Sequence, residues 1–171
     1  VLDPACGCGN FLVVAYRELR LIELELLREL YKKQQFLDAG EFARLMDVDQ
    51  FYGIELEEFP AQIAQVALWL TDHQMNMRVS EEFGEYFARL PLRKAPNIIR
   101  ANAIRIDWNH IVAPSELAYI VGNPPFVGGK FMDGEQKEDR ALVFDGLKNV
   151  GLLDYVTCWY GKTAAYMKAN P

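Results

Sequence analysis

The sequence has little of what would mark several classes of protein. Cysteine is scarce: there are three in 171 residues, two of them at Cys6 and Cys8 with one residue between. That is no disulfide framework, and it fits a reducing compartment inside the cell, the cytoplasm. Histidine is scarcer, with only His73 and His110, neither at ligand spacing from the cysteines, so no metal centre is expected. Cys158 has no paired histidine nearby and does not read as a nucleophile. No apolar run approaches the ~20 residues that cross a bilayer, and no cleavable leader is visible. Positive charge is also short. Lys and Arg total 18 against 24 Asp and Glu, a formal net charge of -6, the wrong sign for a chain that binds nucleic acid unaided.

What is present suits one domain: 51% of the residues are hydrophobic, enough for a sizeable core. The chain opens without Met, already inside an apolar strand, and stops after a helical segment, so residues 1–171 read as a piece of a longer protein.

Strand-like runs alternate with helical ones. The Val1–Asp3 run leads through a glycine turn into a long helix over Phe11–Lys33, with Leu12, Tyr16, Leu19, Ile22, Leu26 and Leu30 expected on its buried face. A short connector helix is expected over Asp38–Asp47. Phe51–Leu56 reads as a second strand, and a helix opens behind Glu57, Glu58 and Pro60, burying Ile63, Val66, Ala67 and Leu70 and fading near Asn76. Ser80 is placed to start another helix that Pro91 stops. Asn97–Ala103 and Leu117–Gly122 read as a third and fourth strand, followed by a glycine-bearing loop over Gly128–Glu138 and helices over Glu135–Leu147 and Leu152–Ala169. Such alternation predicts an α/β fold, a parallel sheet flanked by helices. Ligands of such sheets sit beyond the carboxyl ends of the strands, where the strand order reverses.

Four features fall at four such ends. Asp3-Pro4-Ala5-Cys6-Gly7-Cys8-Gly9-Asn10-Phe11 is a glycine turn opening a helix, with free amides at its start. It lacks the third glycine of a dinucleotide fingerprint, since Val13 and Val14 follow, and it carries a carboxylate where a pyrophosphate would be repelled. An ammonium or sulfonium ligand fits better, such as an amino acid joined to a nucleoside. Glu55 is either a ribose acceptor or an ordinary acid at a helix start. Asn102 either reads an adenine edge or satisfies its own loop, and Asp107 is a weaker rival. Asn123-Pro124-Pro125-Phe126 is the most specific feature. Its prolines remove two donors and stiffen the backbone, leaving the Asn123 side-chain oxygen and the Pro124 carbonyl free to accept from one planar amino group. Phe126 offers a face for a stacked base. The bland reading is a strand-ending turn with a core phenylalanine. Arg89, Arg93, Lys94, Arg100 and Arg105 form the one basic concentration, either a solvated face or a contact for DNA phosphates.

On these residues the chain resembles the S-adenosylmethionine-dependent N6-adenine DNA methyltransferases: Asp3 to Gly9 is similar to their cofactor motif and Asn123 to Phe126 to their catalytic motif. Gly53 to Pro60, Ala67 to Leu70, Phe126 to Lys130 and Leu153 to Val156 resemble the large single-chain enzymes that join a restriction nuclease to a methylase. The resemblance implies a Rossmann-like class I methyltransferase domain, of which the first four strands are here. It implies S-adenosylmethionine held by Asp3, Pro4, Ala5, Cys6, Gly7, Gly9, Asn10 and Phe11, by Glu55 and Leu56 at the ribose, and by Asn102 and Ala103 at the adenine. Where the family more often has aspartate, this chain has Asn102. The resemblance further implies double-stranded DNA as partner, contacted mostly by domains that lie elsewhere, and a target adenine flipped from the duplex. Phe126 would then stack on that base while Asn123 and Pro124 hold its amino group, with Pro125 completing the catalytic tetrapeptide. A sheet divided after its fourth strand exposes an edge, so the piece alone is expected to be inactive, less stable than its parent, or self-associated. Methylation of a protein glutamine or an RNA guanine, nicotinamide-dependent dehydrogenation, and a non-catalytic assembly module with a relic pocket are the competing readings; the missing third glycine and the Asn-Pro-Pro-Phe run disfavour the dehydrogenase.

Overall fold

A computed structural model of the chain describes residues 1–32, 46–83 and 95–168. Three short strands, β1 (Leu2–Asp3), β2 (Tyr52–Glu55) and β3 (Asn97–Arg100), pair in parallel in the order β1-β2-β3. Leu2 lies opposite Tyr52, and Ile54 opposite Ile99. The expected fourth strand is reduced to one parallel bridge, Ile120 to Leu2, on the free side of β1. Two backbone bonds of 2.9 Å hold it, Leu2 N–H to the Tyr119 carbonyl and Val121 N–H to the Leu2 carbonyl. The spatial order therefore runs from β3 through β2 and β1 to the 119–121 segment, and it reverses at β1.

Side chains alternate between the two faces of this sheet, as the strand period of two requires. Ile98 joins a core with Leu12, Tyr16, Phe51, Ala64 and Leu68 under the first two helices. Leu2 and Ile54, with Ile99 against them, join a second core with Trp108, Tyr155, Trp159 and Tyr166 on the opposite face. Gly53 lies where a side chain has no room: an added Cβ would sit 2.7 Å from Ile98 and 2.8 Å from the Cys6 sulfur.

Helices α1 (Asn10–Lys32) and α2 (Glu58–Phe83) cover the first face. Their buried sides differ from the periodicity reading. On α1, Arg20 and Glu23 are buried while Ile22 and Leu26 are exposed. On α2, Thr71, Asp72 and Asn76 are buried while Ile63, Val66 and Leu70 are exposed. The cause is a bonded set of polar groups between the helices. Arg20 donates to the Tyr16 hydroxyl (3.2 Å), to Asn76 Oδ1 (2.9 Å) and to the Met46 carbonyl (3.2 Å), and it pairs with Glu23 at 2.9 Å. The Tyr16 hydroxyl donates to Asp72 at 2.6 Å.

That set also carries α2 straight through Asn76, where the sequence predicts an end. Ser80 does not begin a helix; its hydroxyl donates back to the Asn76 carbonyl at 3.0 Å inside α2. The remainder of the expected helix to Leu92, and most of the Asp38–Asp47 connector, lie outside the described residues. Asp47 itself caps a 3-10 turn at Val48–Gln50.

Helix α3 (Gly134–Val143) starts in a capping box between Asp133 and Gln136. It stops short of Leu147 because the chain turns through left-handed angles at Gly146 and Asn149. Helix α4 (Thr157–Met167) begins later than expected, since Val150–Leu152 is a 3-10 turn and Asp154 is engaged elsewhere.

Candidate active site

The turn after β1 is closed by its own backbone and by β2. Cys6 N–H donates to the Ile54 carbonyl (3.1 Å), Gly9 N–H to the Cys6 carbonyl (2.8 Å), and Val13 N–H to the Gly9 carbonyl (2.8 Å), which starts α1. Gly7 and Gly9 take left-handed angles, φ 53° and 83°. A Cβ at Gly9 would lie 2.9 Å from that of Ala64, so this glycine lets α1 and α2 close together. A Cβ at Gly7 would meet nothing within 4 Å, so the loop is open above it.

Glu55, at the end of β2, clamps this turn. Its carboxylate accepts from Gly7 N–H and from Glu57 N–H, both at 2.9 Å. Each oxygen keeps acceptor capacity for a further donor.

Asp3 is the most unusual group here. It is 1% exposed, one oxygen accepts from Ala5 N–H at 2.9 Å, and the other is buried with no donor to it among the described residues. Burial raises its carboxyl to about 6, with the Ala5 bond opposing and the Glu55 charge adding. Cys6 is also buried, and burial first, then the Asp3 and Glu55 charges, push its thiol up to about 12. It presents no reactive sulfur, and its backbone N–H and carbonyl are the ones that close the turn. Ala103 is likewise buried, under Trp108, whose indole N–H donates to the Ala103 carbonyl at 2.9 Å. Asn10, Phe11 and Leu56 are exposed around the same rim.

Across the reversal of strand order stands Asn123-Pro124-Pro125-Phe126. It follows Gly122, where an added Cβ would come within 2.6 Å of the Asp3 carboxylate. The turn after β1 and the tetrapeptide thus share one wall. Pro4, Gly122, Pro124, Trp159 and Tyr160 line a common cavity of about 140 Å3, and Trp159 donates its indole N–H to the Pro4 carbonyl at 2.9 Å. Asn123 is exposed, and Phe126 is 70% exposed with its ring packed in no core.

Beyond Phe126 the chain is clipped by Asp154, whose carboxylate accepts from Val127 N–H at 3.0 Å and Val156 N–H at 3.1 Å. Tyr155 N–H closes the clip on the Val127 carbonyl at 2.9 Å.

Asn102, just past β3, accepts from Ile104 N–H at 2.9 Å and donates to Asp139 at 3.1 Å. Arg105 is bound to the same Asp139 at 2.6 Å, and Arg100 to Glu58 at 3.1 Å. These two arginines are thus paired with acids, while Arg89, Arg93 and Lys94 lie outside the described residues. Asp107 caps its own 3-10 turn through Asn109. Sequence reasoning missed Gly122, Asp139, Asp154 and Trp159 as parts of the site. Gly122 was visible beside Asn123, but only the placement of Asp3 shows why a glycine stands there.

A parallel sheet whose order reverses between a glycine turn with a buried carboxylate and an Asn-Pro-Pro-Phe turn is the frame of a methyltransferase domain. The family model described as the MmeI DNA-methyltransferase domain matches residues 1–171, and the chain belongs to that family. Among curated relatives, DNA methyltransferase A of Bacillus subtilis (strain 168) is 39% identical over 167 residues, covering 96% of this chain and 19% of the relative. The solved structure of the Type IIL restriction-modification enzyme MmeI in complex with DNA is 58% identical with a TM-score of 0.90, covering 99% of this chain and 23% of that one. The chain spans about a fifth of the length of these relatives. No helix among the described residues is long and apolar enough to cross a membrane.

Proposed function

We propose that this chain holds the cofactor site and the amino-group site of a DNA adenine N6-methyltransferase in a restriction-modification enzyme, with S-adenosylmethionine as donor and double-stranded DNA as substrate. One observation carries the reading: the buried Asp3 carboxylate has an oxygen that no group among the described residues satisfies, and the backbone leading into Asn123 rests against that carboxylate. A carboxylate taken from water and left half-satisfied calls for a cationic or hydrogen-bonding ligand. The open space above Gly7 and the spare acceptor capacity of Glu55 suit a nucleoside with vicinal hydroxyls. S-adenosylmethionine, when bound, supplies an electrophilic methyl group on a sulfonium.

The protein's own part is positioning. Asn123 is exposed at the rim, so its side-chain oxygen and the Pro124 carbonyl can accept the two hydrogens of an amino group. This draws the nitrogen lone pair out of conjugation with the ring. Phe126 presents an open ring to a base, and stacking of that kind contributes ~1 to 3 kcal/mol. With the donor bound, the sulfonium would supply its methyl group to the amine that Asn123 and Pro124 hold, the displaced electron pair staying on sulfur and the amino proton leaving to solvent. Because Arg100 and Arg105 are paired with acids, phosphate contacts are assigned chiefly to other parts of the protein. The cytoplasm, where DNA and donor meet, is the matching compartment.

The test is methyl transfer by the complete protein from tritium-labelled donor to duplex DNA, followed by identification of the modified base. N6-methyladenine is expected. Asn123→Ala should reduce turnover by at least ~100-fold while S-adenosylhomocysteine binding changes only a few-fold. Label on RNA or protein in place of DNA, or near-parental turnover by the variant, would overturn the assignment.

A further inference from the structure

Asp139 lies on α3, away from both motifs, yet it is 2% exposed and collects three side-chain donors from different parts of the site. One oxygen accepts from Arg105 Nε at 2.6 Å; the other accepts from the Tyr155 hydroxyl at 2.6 Å and from Asn102 Nδ2 at 3.1 Å. Tyr155 in turn holds the Val127 carbonyl, directly after Phe126.

The bond to Asn102 has a chemical consequence. A side-chain amide has an oxygen end and a nitrogen end, and a free one can turn over to suit either pattern of donors and acceptors. At Asn102 both ends are fixed. Its oxygen faces Ile104 N–H at 2.9 Å and its nitrogen faces the Asp139 carboxylate. Turned over, the amide would set a donor against a donor and an oxygen against an anion. Each end keeps one hydrogen-bonding position for a ligand.

We infer that Asp139 is a positioning residue that makes Asn102 a selector for the cofactor's base. This rests on the proposal that Asn102 meets that base. Adenine offers an amino donor beside a ring-nitrogen acceptor; hypoxanthine offers a carbonyl acceptor beside a ring N–H donor. A locked amide fits one of these patterns, whereas an amide free to turn fits both. Aspartate at this position would need no such lock, because a carboxylate only accepts.

The experiment measures, on the complete protein, the dissociation constants of S-adenosylhomocysteine and its inosine counterpart. The parent should favour the adenosine form by roughly 10-fold or more, the scale of a well-placed base-edge pair. Asp139→Ala should narrow that preference several-fold, because the Ile104 N–H alone then orients the amide. The isosteric Asp139→Asn, whose own amide can present either end to Asn102, should narrow the preference as well while keeping the packing.

A purely structural Asp139 would weaken both ligands equally and leave their ratio unchanged, and that result would overturn the inference. So would a parent that does not distinguish the two ligands, or a folded Asp139→Asn variant with the full parental preference. Failure of the parent to bind S-adenosylhomocysteine at all is a separate outcome: it would sink the cofactor assignment itself. If Asp139→Ala does not fold, Asp139→Asn, checked by circular dichroism, decides alone.

Discussion

Replacing Asp3 by asparagine removes a charge that the folded protein is poorly built to hold without a ligand. The carboxyl stands at about 6 in the fold against an ordinary 3.8, mainly because it is buried, with the Ala5 N–H opposing and the nearby Glu55 charge adding. That interval corresponds to about 3 kcal/mol. The sign follows from proton uptake. Between pH 3.8 and about 6 the native state keeps a proton that the unfolded chain has released, so this group's contribution to stability is full below 3.8 and is lost as pH rises through about 6. The substituted amide would keep an acceptor for Ala5 N–H but would be buried without a second partner, which costs about 1 kcal/mol or more. Asp3→Asn should therefore be slightly less stable than the parent near pH 4 and exceed it by about 2 kcal/mol above pH 7, measured by urea unfolding across that range. The same variant should bind S-adenosylhomocysteine at least ~10-fold more weakly, since a charge-assisted bond is gone. Parental affinity should rise with pH through about 6, because the ligand's ammonium prefers the ionised carboxylate. A variant no more stable than the parent at pH 8, or a stability difference that does not change with pH, would refute the account of Asp3 as a strained, waiting anion.

Three further outcomes follow from other parts of the structure. Gly9→Ala should destabilise by at least about 2 kcal/mol, because the new Cβ meets Ala64 at 2.9 Å from a left-handed backbone, whereas Gly7→Ala, with open space above it, should lose about 1 kcal/mol; denaturant unfolding separates them. Arg20→Met should cost about 3 to 5 kcal/mol, since it strips a buried cation from Glu23 and Asp72, and a loss under about 1 kcal/mol would contradict the network. Phe126→Ala should leave the unfolding midpoint almost unchanged, as expected for a ring 70% exposed, yet lower turnover on duplex DNA by about 10-fold in steady-state assays.

The parts of this site that could be read from the sequence are those in which one residue type has one backbone consequence. Gly7 and Gly9 predict a turn because their angles exclude side chains, and two prolines after an apolar run predict a stiff strand end. The helix faces could not be phased in the same way. Both α1 and α2 carry apolar residues on more than one side, and the rule that charged residues face water fails at Arg20, Glu23 and Asp72, which satisfy one another between the helices. The buried stripe of α2 consequently runs through Ala61, Ala64, Leu68 and Met75, and not through Ile63, Val66 and Leu70. Asp139 was hidden for a related reason: its three partners come from positions 34, 37 and 16 residues away, and no local spacing connects them.

The same reasoning explains why the fourth strand read as longer than it is. Leu117 and Ile120 pack in the core while Tyr119 is exposed, and only one bridge joins the segment to β1, so two backbone bonds are all the ladder contributes to holding Asn123. The tetrapeptide is held instead by what surrounds it. Gly122 rests on Asp3, Trp159 binds the Pro4 carbonyl, and Asp154 with Tyr155 clips Val127. A ladder of main-chain bonds would fix such a segment independently of side chains, whereas a set of side-chain clips makes its position depend on Asp154 and Trp159, far along the chain. Conservative changes at those two residues should accordingly lower turnover, while changes to the apolar side chains of the 117–121 segment should act on stability. The two proposed amino-group acceptors at Asn123 and Pro124 are placed by the packing of α4 as much as by the sheet that leads to them.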